Sequence, residues 1–155
     1  MRKLLSTISV IFVLLTSNAL THEYKIGDLK IIHPYIVKTY PGARTASGYA
    51  EIINTGNQSD FLTAVVINFA KASKIHQIIM KYDVMQMQEI NDGLEISGNS
   101  SIKLKQWGYH IMFINLINPM VEGETHEGIL YFKKAGSIKV IFYVEKTGFK
   151  LKHNN

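Results

Sequence analysis

The residues best suited to chemistry in this chain are two histidines and two methionines. They are His76, Met87, His110 and Met112, in the spacing His-x10-Met-x22-His-x-Met. Thioether sulfur and neutral imidazole suit Cu(I) better than any hard cation. The sequence contains no cysteine, so a soft-metal site in this chain has no thiolate available. Two imidazoles and two thioethers therefore predict a Cu(I) site.

Packing is the alternative interpretation of each of these residues taken alone. Methionine fills irregular gaps in protein cores, and a single strand histidine is commonly a hydrogen-bonded, partly buried residue. Met80, Met85 and Met120 fit this structural interpretation best. Among other metals, zinc prefers thiolate, imidazole and carboxylate ligands. A blue-copper site needs a cysteine thiolate, so an electron-transfer role is not expected.

The elements that position these residues are predicted to be β-strands. Short apolar or alternating runs are separated by turn residues, and no segment has a helical period of helix length. Many short strands of this kind predict an all-β sandwich or barrel in a single domain. The predicted strands cover residues 30–38 (interrupted by Pro34), 48–53, 61–69, 74–80, 84–90, 101–105, 109–116, 127–133 and 137–144.

Strand geometry brings the four candidate ligands toward one another. Residues two apart on a strand share a face, so His110 and Met112 form one pair. A hairpin of 74–80 and 84–90 places His76 near Met87 without help from distant chain. The strand at 109–116 then has to pass beside this hairpin with its His110 face turned toward it. We expect the resulting site to lie at the surface of the domain, with Trp107 and Tyr109 as core aromatics or as residues that flank its opening.

The amino terminus is typical of an export signal. Arg2 and Lys3 precede a mostly apolar run at 4–16, and residues 17–19 supply the small side chains of a cleavage site. We expect a signal peptide at 1–19 that is cleaved after Ala19, with an uncleaved anchor as the alternative. A segment at 20–29, a β-sandwich domain at 30–146 and a polar tail at 147–155 would follow. No stable membrane insertion is expected after cleavage.

Charge and motifs argue against several other functions. The formal net charge of +5 falls to +3 without Arg2 and Lys3, and the basic residues are not clustered. No nucleic-acid partner is therefore expected. The sequence has no spacing typical of a catalytic triad, no glycine-rich phosphate loop and no paired acids in a plausible cleft, so we predict no catalytic residues and no enzyme activity. The remaining histidines are assigned structural or solvated roles, with His22 also able to reach a metal as an arm: His22, His33, His126 and His153.

The segments 75–76, 84–87, 93–96 and 108–112 resemble the periplasmic PCu(A)C-type copper chaperones. The likeness spans about residues 30–145, and that family carries a His-x10-Met…His-x-Met signature on a cupredoxin-like Greek-key β-sandwich. This chain departs from the family pattern at four points, and none of them removes a candidate copper ligand. Gln77 replaces a frequent methionine, Tyr35 a tryptophan and Trp107 a glycine, and the gap from Met87 to His110 is one residue longer than usual.

This resemblance implies a function for the chain. It implies Cu(I) binding in the periplasm and delivery of copper to cytochrome c oxidase, either to an oxidase subunit or through a thioredoxin-like assembly factor. A monomer is expected, with a metal-bridged dimer as the alternative that a surface site invites. The alternative function is a periplasmic immunoglobulin-like module that binds a protein partner and holds no metal.

Overall fold

The computed structural model describes residues 22–146, and these residues form eleven β-strands without a helix. The predicted signal peptide, the C-terminal tail and His153 lie outside the described residues. In chain order the strands are β1 (Glu23–Ile26), β2 (Leu29–Val37), β3 (Thr45–Asn54), β4 (Asp60–Ile67), β5 (Ala70–Lys81), β6 (Val84–Glu89), β7 (Leu94–Ile96), β8 (Ser100–Leu104), β9 (His110–Leu116), β10 (Thr125–Phe132) and β11 (Gly136–Glu145).

The strands are linked through hydrogen bonds in the order β6-β5-β9-β3-β2-β11-β10-β4-β7, with β1 on β2 and β8 on β3. Strands β11 and β2 pair in parallel, and the other strand pairs are antiparallel. The predicted all-β class is therefore confirmed. Within residues 22–146 there is also no helix that could span a membrane.

The core is formed by the inward-facing side chains of these strands. Phe113 and Phe142 are fully buried, and their rings meet edge to face with 5.7 Å between centroids. At Gly48 a Cβ would lie 2.7 Å from Cε2 of Phe113, so the close packing of β3 on this ring requires glycine. Because side chains alternate along a strand, β9 directs Ile111 and Phe113 into the core. His110 and Met112 consequently lie on the opposite face.

Two predicted features of the strands differ in detail from the structure. β2 continues through Pro34, which the sequence predicted to interrupt it. The pairing of β2 with β3 shifts register between Ile32 and Tyr35, and His33 has a φ of 50°. Such a bulge is a position at which a sheet tolerates proline. In addition, β1 and β7 form although no strand was predicted at either place, because each is only three or four residues long.

The hairpin of β5 and β6 is confirmed, and its turn explains its register. Tyr82 and Asp83 both have left-handed backbone conformations, with φ of 52° and 59°. Positive φ at both central residues is the requirement of a two-residue type I′ turn, which matches the twist of the flanking strands. The turn pairs Lys81 with Val84 and sets every later pair of the hairpin. β6 lies at one end of the strand order.

Candidate metal centre

The four predicted ligands lie on three adjacent strands, and the structure places the two histidines in direct contact. His76 of β5 is the direct cross-strand partner of His110 of β9. Their rings are nearly perpendicular, with an interplanar angle of 85° and 5.6 Å between centroids. A metal–imidazole bond is about 2 Å long, so a single ion has room to contact both rings.

The two methionines lie on the same face of the sheet as the histidine pair. Met112 is two residues beyond His110 on β9 and pairs with Lys74 of β5. Met87 of β6 pairs with Ile78, which is two residues beyond His76. Directly opposed residues and residues two apart point to the same side of a sheet. The register therefore places one methionine residue on each side of the histidine pair along the strand direction.

His110 is held in one orientation by the backbone. Its side chain is only 5% exposed, and its Nδ1 lies 3.1 Å from the carbonyl oxygen of Gly108. A carbonyl only accepts hydrogen bonds, so Nδ1 carries the proton and donates it. In the neutral form of the ring, Nε2 is then the nitrogen with a free lone pair. Metal-binding histidines commonly donate the proton of their other ring nitrogen to a carbonyl in this way, which fixes the orientation of the ring.

His76 has a ring nitrogen without a hydrogen-bond partner. Among residues 22–146 its buried Nδ1 contacts no donor or acceptor within hydrogen-bond distance. Burial lowers the pKa of His76 below 6.5, and the neighbouring His110 and Lys74 lower it further, against the opposing effect of Glu89. This shift favours the neutral imidazole, which is the form that binds metal.

Charges near the histidine pair are balanced. The amine of Lys74 lies 2.7 Å from Oε1 of Glu89, and these residues flank His76 on the same face. Across the described part of the chain, no group of three or more histidine, aspartate or glutamate side chains could hold a metal. A site at this position thus depends on imidazole and thioether donors, which favours a soft ion.

The site opens toward solvent along its edge strand. Met87 is 51% exposed on the edge strand β6, whereas His110, two strands further into the sheet on β9, is buried. All residues of β6 except Glu89 are exposed. An ion bound between the strands would therefore be covered by protein on the β9 side and accessible from the β6 side.

Two methionines assigned to the core by sequence are instead exposed. Met80 and Met85 are 64% and 52% exposed, so their interpretation as core packing is wrong. Met120, in contrast, is fully buried as predicted.

Trp107 is also not the core aromatic that the sequence favoured. It is 68% exposed and lies in the turn before β9, with a left-handed φ of 63°. Tyr109 does pack against the core. The glycine that the resembled family usually has at the position of Trp107 is the residue that adopts this conformation without steric cost.

We expect Trp107→Gly to raise the free energy of unfolding by about 1 kcal/mol, because a left-handed conformation costs an L-residue roughly that amount. Urea unfolding measures the change. Trp107→Ala is the matched control, since it removes the exposed ring but keeps the Cβ. Equal stabilities of the two variants would show that the backbone conformation at this position is not strained.

The other described histidines have structural surroundings. His22 stacks on Tyr143 with 4.0 Å between ring centroids, so the alternative of a free metal-binding arm is not what the structure shows. Nε2 of His33 lies 2.7 Å from Oε1 of Glu145. His126 packs on the ring of Phe69.

The chain matches a known protein family. The family model described as "Putative lipoprotein LpqE-like" matches residues 29–144, so the chain belongs to the LpqE-like family. One relative, described as "Putative lipoprotein Lxx21020" of Leifsonia xyli subsp. xyli, is 24% identical over 99 residues. These residues are 64% of this chain, and the match spans 60% of the relative's length.

Solved structures share the fold. The apo PCuAC domain from PmoF1 has a TM-score of 0.70 and 25% identity over 81% of this chain and 100% of that domain. The copper-bound PCuAC domain from PmoF2 has a TM-score of 0.69 and 23% identity, covering 81% of this chain and 99% of the domain. Apo-DR1885 from Deinococcus radiodurans has a TM-score of 0.61 and 17% identity, covering 96% of this chain and 98% of that protein.

These similarities confirm the cupredoxin-like β fold and the resemblance to PCu(A)C proteins. This fold is shared by PCuAC domains solved both without copper and with copper bound.

Proposed function

We propose that this protein is an exported copper carrier that binds Cu(I) through His76, Met87, His110 and Met112. The observation that carries the proposal is the cross-strand pairing of His76 with His110, with 5.6 Å between ring centroids. The Nδ1 of His76, which has no hydrogen-bond partner among residues 22–146, and the positions of Met87 and Met112 on the same face support it. The copper-bound PmoF2 domain and the Cu(I) form of DR1885 have the same fold.

The ligand chemistry fits a carrier better than a permanent copper site. All four donors are uncharged, so the bound ion keeps its single positive charge. Thiolates bind soft metals more strongly than thioethers, so a recipient that offers thiolates would take the ion by ligand exchange. The exposed Met87 is the ligand that such a recipient would reach first.

The proposed place of action is the periplasm, after removal of residues 1–19. The family's description as lipoproteins supports export. The proposed recipient is the copper-binding machinery of cytochrome c oxidase, either an oxidase subunit or a thioredoxin-like assembly factor. We propose that the β-sandwich at 30–146 carries the copper as a monomer.

Anaerobic Cu(I) titration combined with X-ray absorption tests the proposal. At half an equivalent of copper, we expect nitrogen and sulfur scatterers in equal numbers around a single Cu(I) ion. A spectrum without sulfur, or an absence of stoichiometric binding, would refute the four-residue site. Such a result would favour a protein-binding module in which these side chains are only packed.

A further inference from the structure

The end of the β5–β6 hairpin carries two methionines outside the proposed copper site. Four of the five methionines among the described residues lie on the same sheet face as the histidine pair, and Met120 is the exception. Met87 and Met112 belong to the proposed copper site. Met80 and Met85 do not, and core packing does not explain them because both are more than half exposed.

The register of the hairpin places Met80 directly opposite Met85. The two-residue turn at 82–83 makes the next pair outward, Lys81 and Val84, a hydrogen-bonded pair. Pairs alternate along an antiparallel ladder, so Met80 and Met85 form a non-hydrogen-bonded pair. The hydrogen bond from the amide of Ile90 to the carbonyl of Ile75 agrees with this alternation, because these two residues are an even number of positions from Lys81 and Val84. In such pairs the Cα atoms are about 4.5 Å apart, and the side chains are at their closest.

The methionine pair is also next to the proposed copper site. Met85 precedes Met87 by two residues on the same face, which corresponds to about 7 Å along the strand. The thioethers of Met80 and Met85 can turn toward each other or toward Met87, because methionine has three flexible side-chain torsions. No carboxylate or imidazole is paired with either residue.

We propose that Met80 and Met85 form a second, weaker Cu(I) site at the end of the hairpin. This inference rests on the proposed function, since it extends the same face of the sheet. Two thioethers without an imidazole provide soft donors but fewer ligands than the four-residue site, so this site fills after it. Because Met80 and Met85 are both exposed, copper enters or leaves the carrier at this site.

Methionine methyl NMR resolves the two sites in one titration. The full chain, labelled with 13C at the methionine methyl groups, is titrated anaerobically with Cu(I). We expect the methyl signals of Met87 and Met112 to shift over the first equivalent and those of Met80 and Met85 over the second. The signal of the buried Met120 serves as an internal control and stays in place.

The double variant Met80→Leu/Met85→Leu is the matched test, because leucine preserves apolar volume but removes sulfur. It is expected to bind the first equivalent as the unmodified protein does and to lose the second. If Met80 and Met85 do not shift in the unmodified protein, or if the double variant still binds a second equivalent, the second site is refuted. The first outcome would leave this face as an apolar docking surface.

These outcomes separate the inference from the function on which it rests. Shifts of Met87 and Met112 alone would retain the proposed carrier and remove the second site. An absence of shifts in all four signals would refute both.

Discussion

Replacing His110 with alanine is expected to lower the Cu(I) affinity of the four-residue site by more than about 100-fold. Loss of a residue that only orients a metal ligand commonly costs 10- to 100-fold in affinity, and loss of the ligand itself should exceed that range. His110 is a strong test because its Nδ1–H is already committed to the carbonyl of Gly108. Removal of the ring also removes Nε2, and alanine provides no other donor atom in its place. Competition with a Cu(I) chelator of known affinity measures the change.

Two further variants separate ligand loss from general damage to the fold. Met112→Leu removes one sulfur with little change in volume, so it should weaken Cu(I) binding while the unfolding transition stays close to that of the unmodified protein. His126→Ala removes a partly buried histidine that packs on Phe69, outside the site, and should leave copper affinity unchanged. If His110→Ala and Met112→Leu both bind copper like the unmodified protein, these residues are not ligands.

The local part of the site could be predicted from sequence because it depends on strand periodicity. His110 and Met112 share a face of any strand that contains them, whatever its partners. The hairpin between 74–80 and 84–90 also depends on local signals, and it brings Met87 to within one diagonal step of His76. Strand period and a short turn were sufficient for both pairs.

The contact between His76 and His110 could not be derived in the same way. It requires β5 to lie against β9 with one register out of several, and the pairing depends on how the whole sheet packs. The sequence indicated only that such a contact was needed. The resemblance to a known family, rather than the pattern of residues, provided the expectation that it exists.

The exposure of Met80, Met85 and Trp107 was missed for a related reason. Residue type predicts the average burial of methionine and tryptophan, and most are at least partly covered. Here the hairpin extends beyond the core, and the backbone before β9 adopts a left-handed conformation that turns Trp107 outward. The glycine expected at that position from the resembled family was the available signal for this conformation.

Acid is expected to release copper from the site. Only neutral imidazole binds a metal, so each histidine ligand adds a proton that competes with Cu(I) below its pKa. The pKa of His76 is lowered from 6.5 mainly by burial, and next by the neighbouring His110. Affinity should therefore stay nearly constant above pH 7 and be at least about 100-fold lower at pH 4. Affinity that is unchanged from neutral pH to about pH 4 would contradict both histidine assignments.

In the metal-free protein, protonation of His76 should likewise lower the stability of the fold in acid. In the unfolded chain His76 has its ordinary pKa, so between that value and the lowered one the unfolded state binds more protons than the folded state. The contribution of His76 to stability is therefore present above pH 6.5 and is lost as the pH falls through this window.

His76→Met isolates the effect, because a thioether does not titrate. This variant should retain a soft donor and therefore show a shallower decrease of copper affinity in acid. Its free energy of unfolding should also lose the pH dependence that belongs to His76. If the variant reproduces the pH profile of the unmodified protein, another group is responsible for acid release.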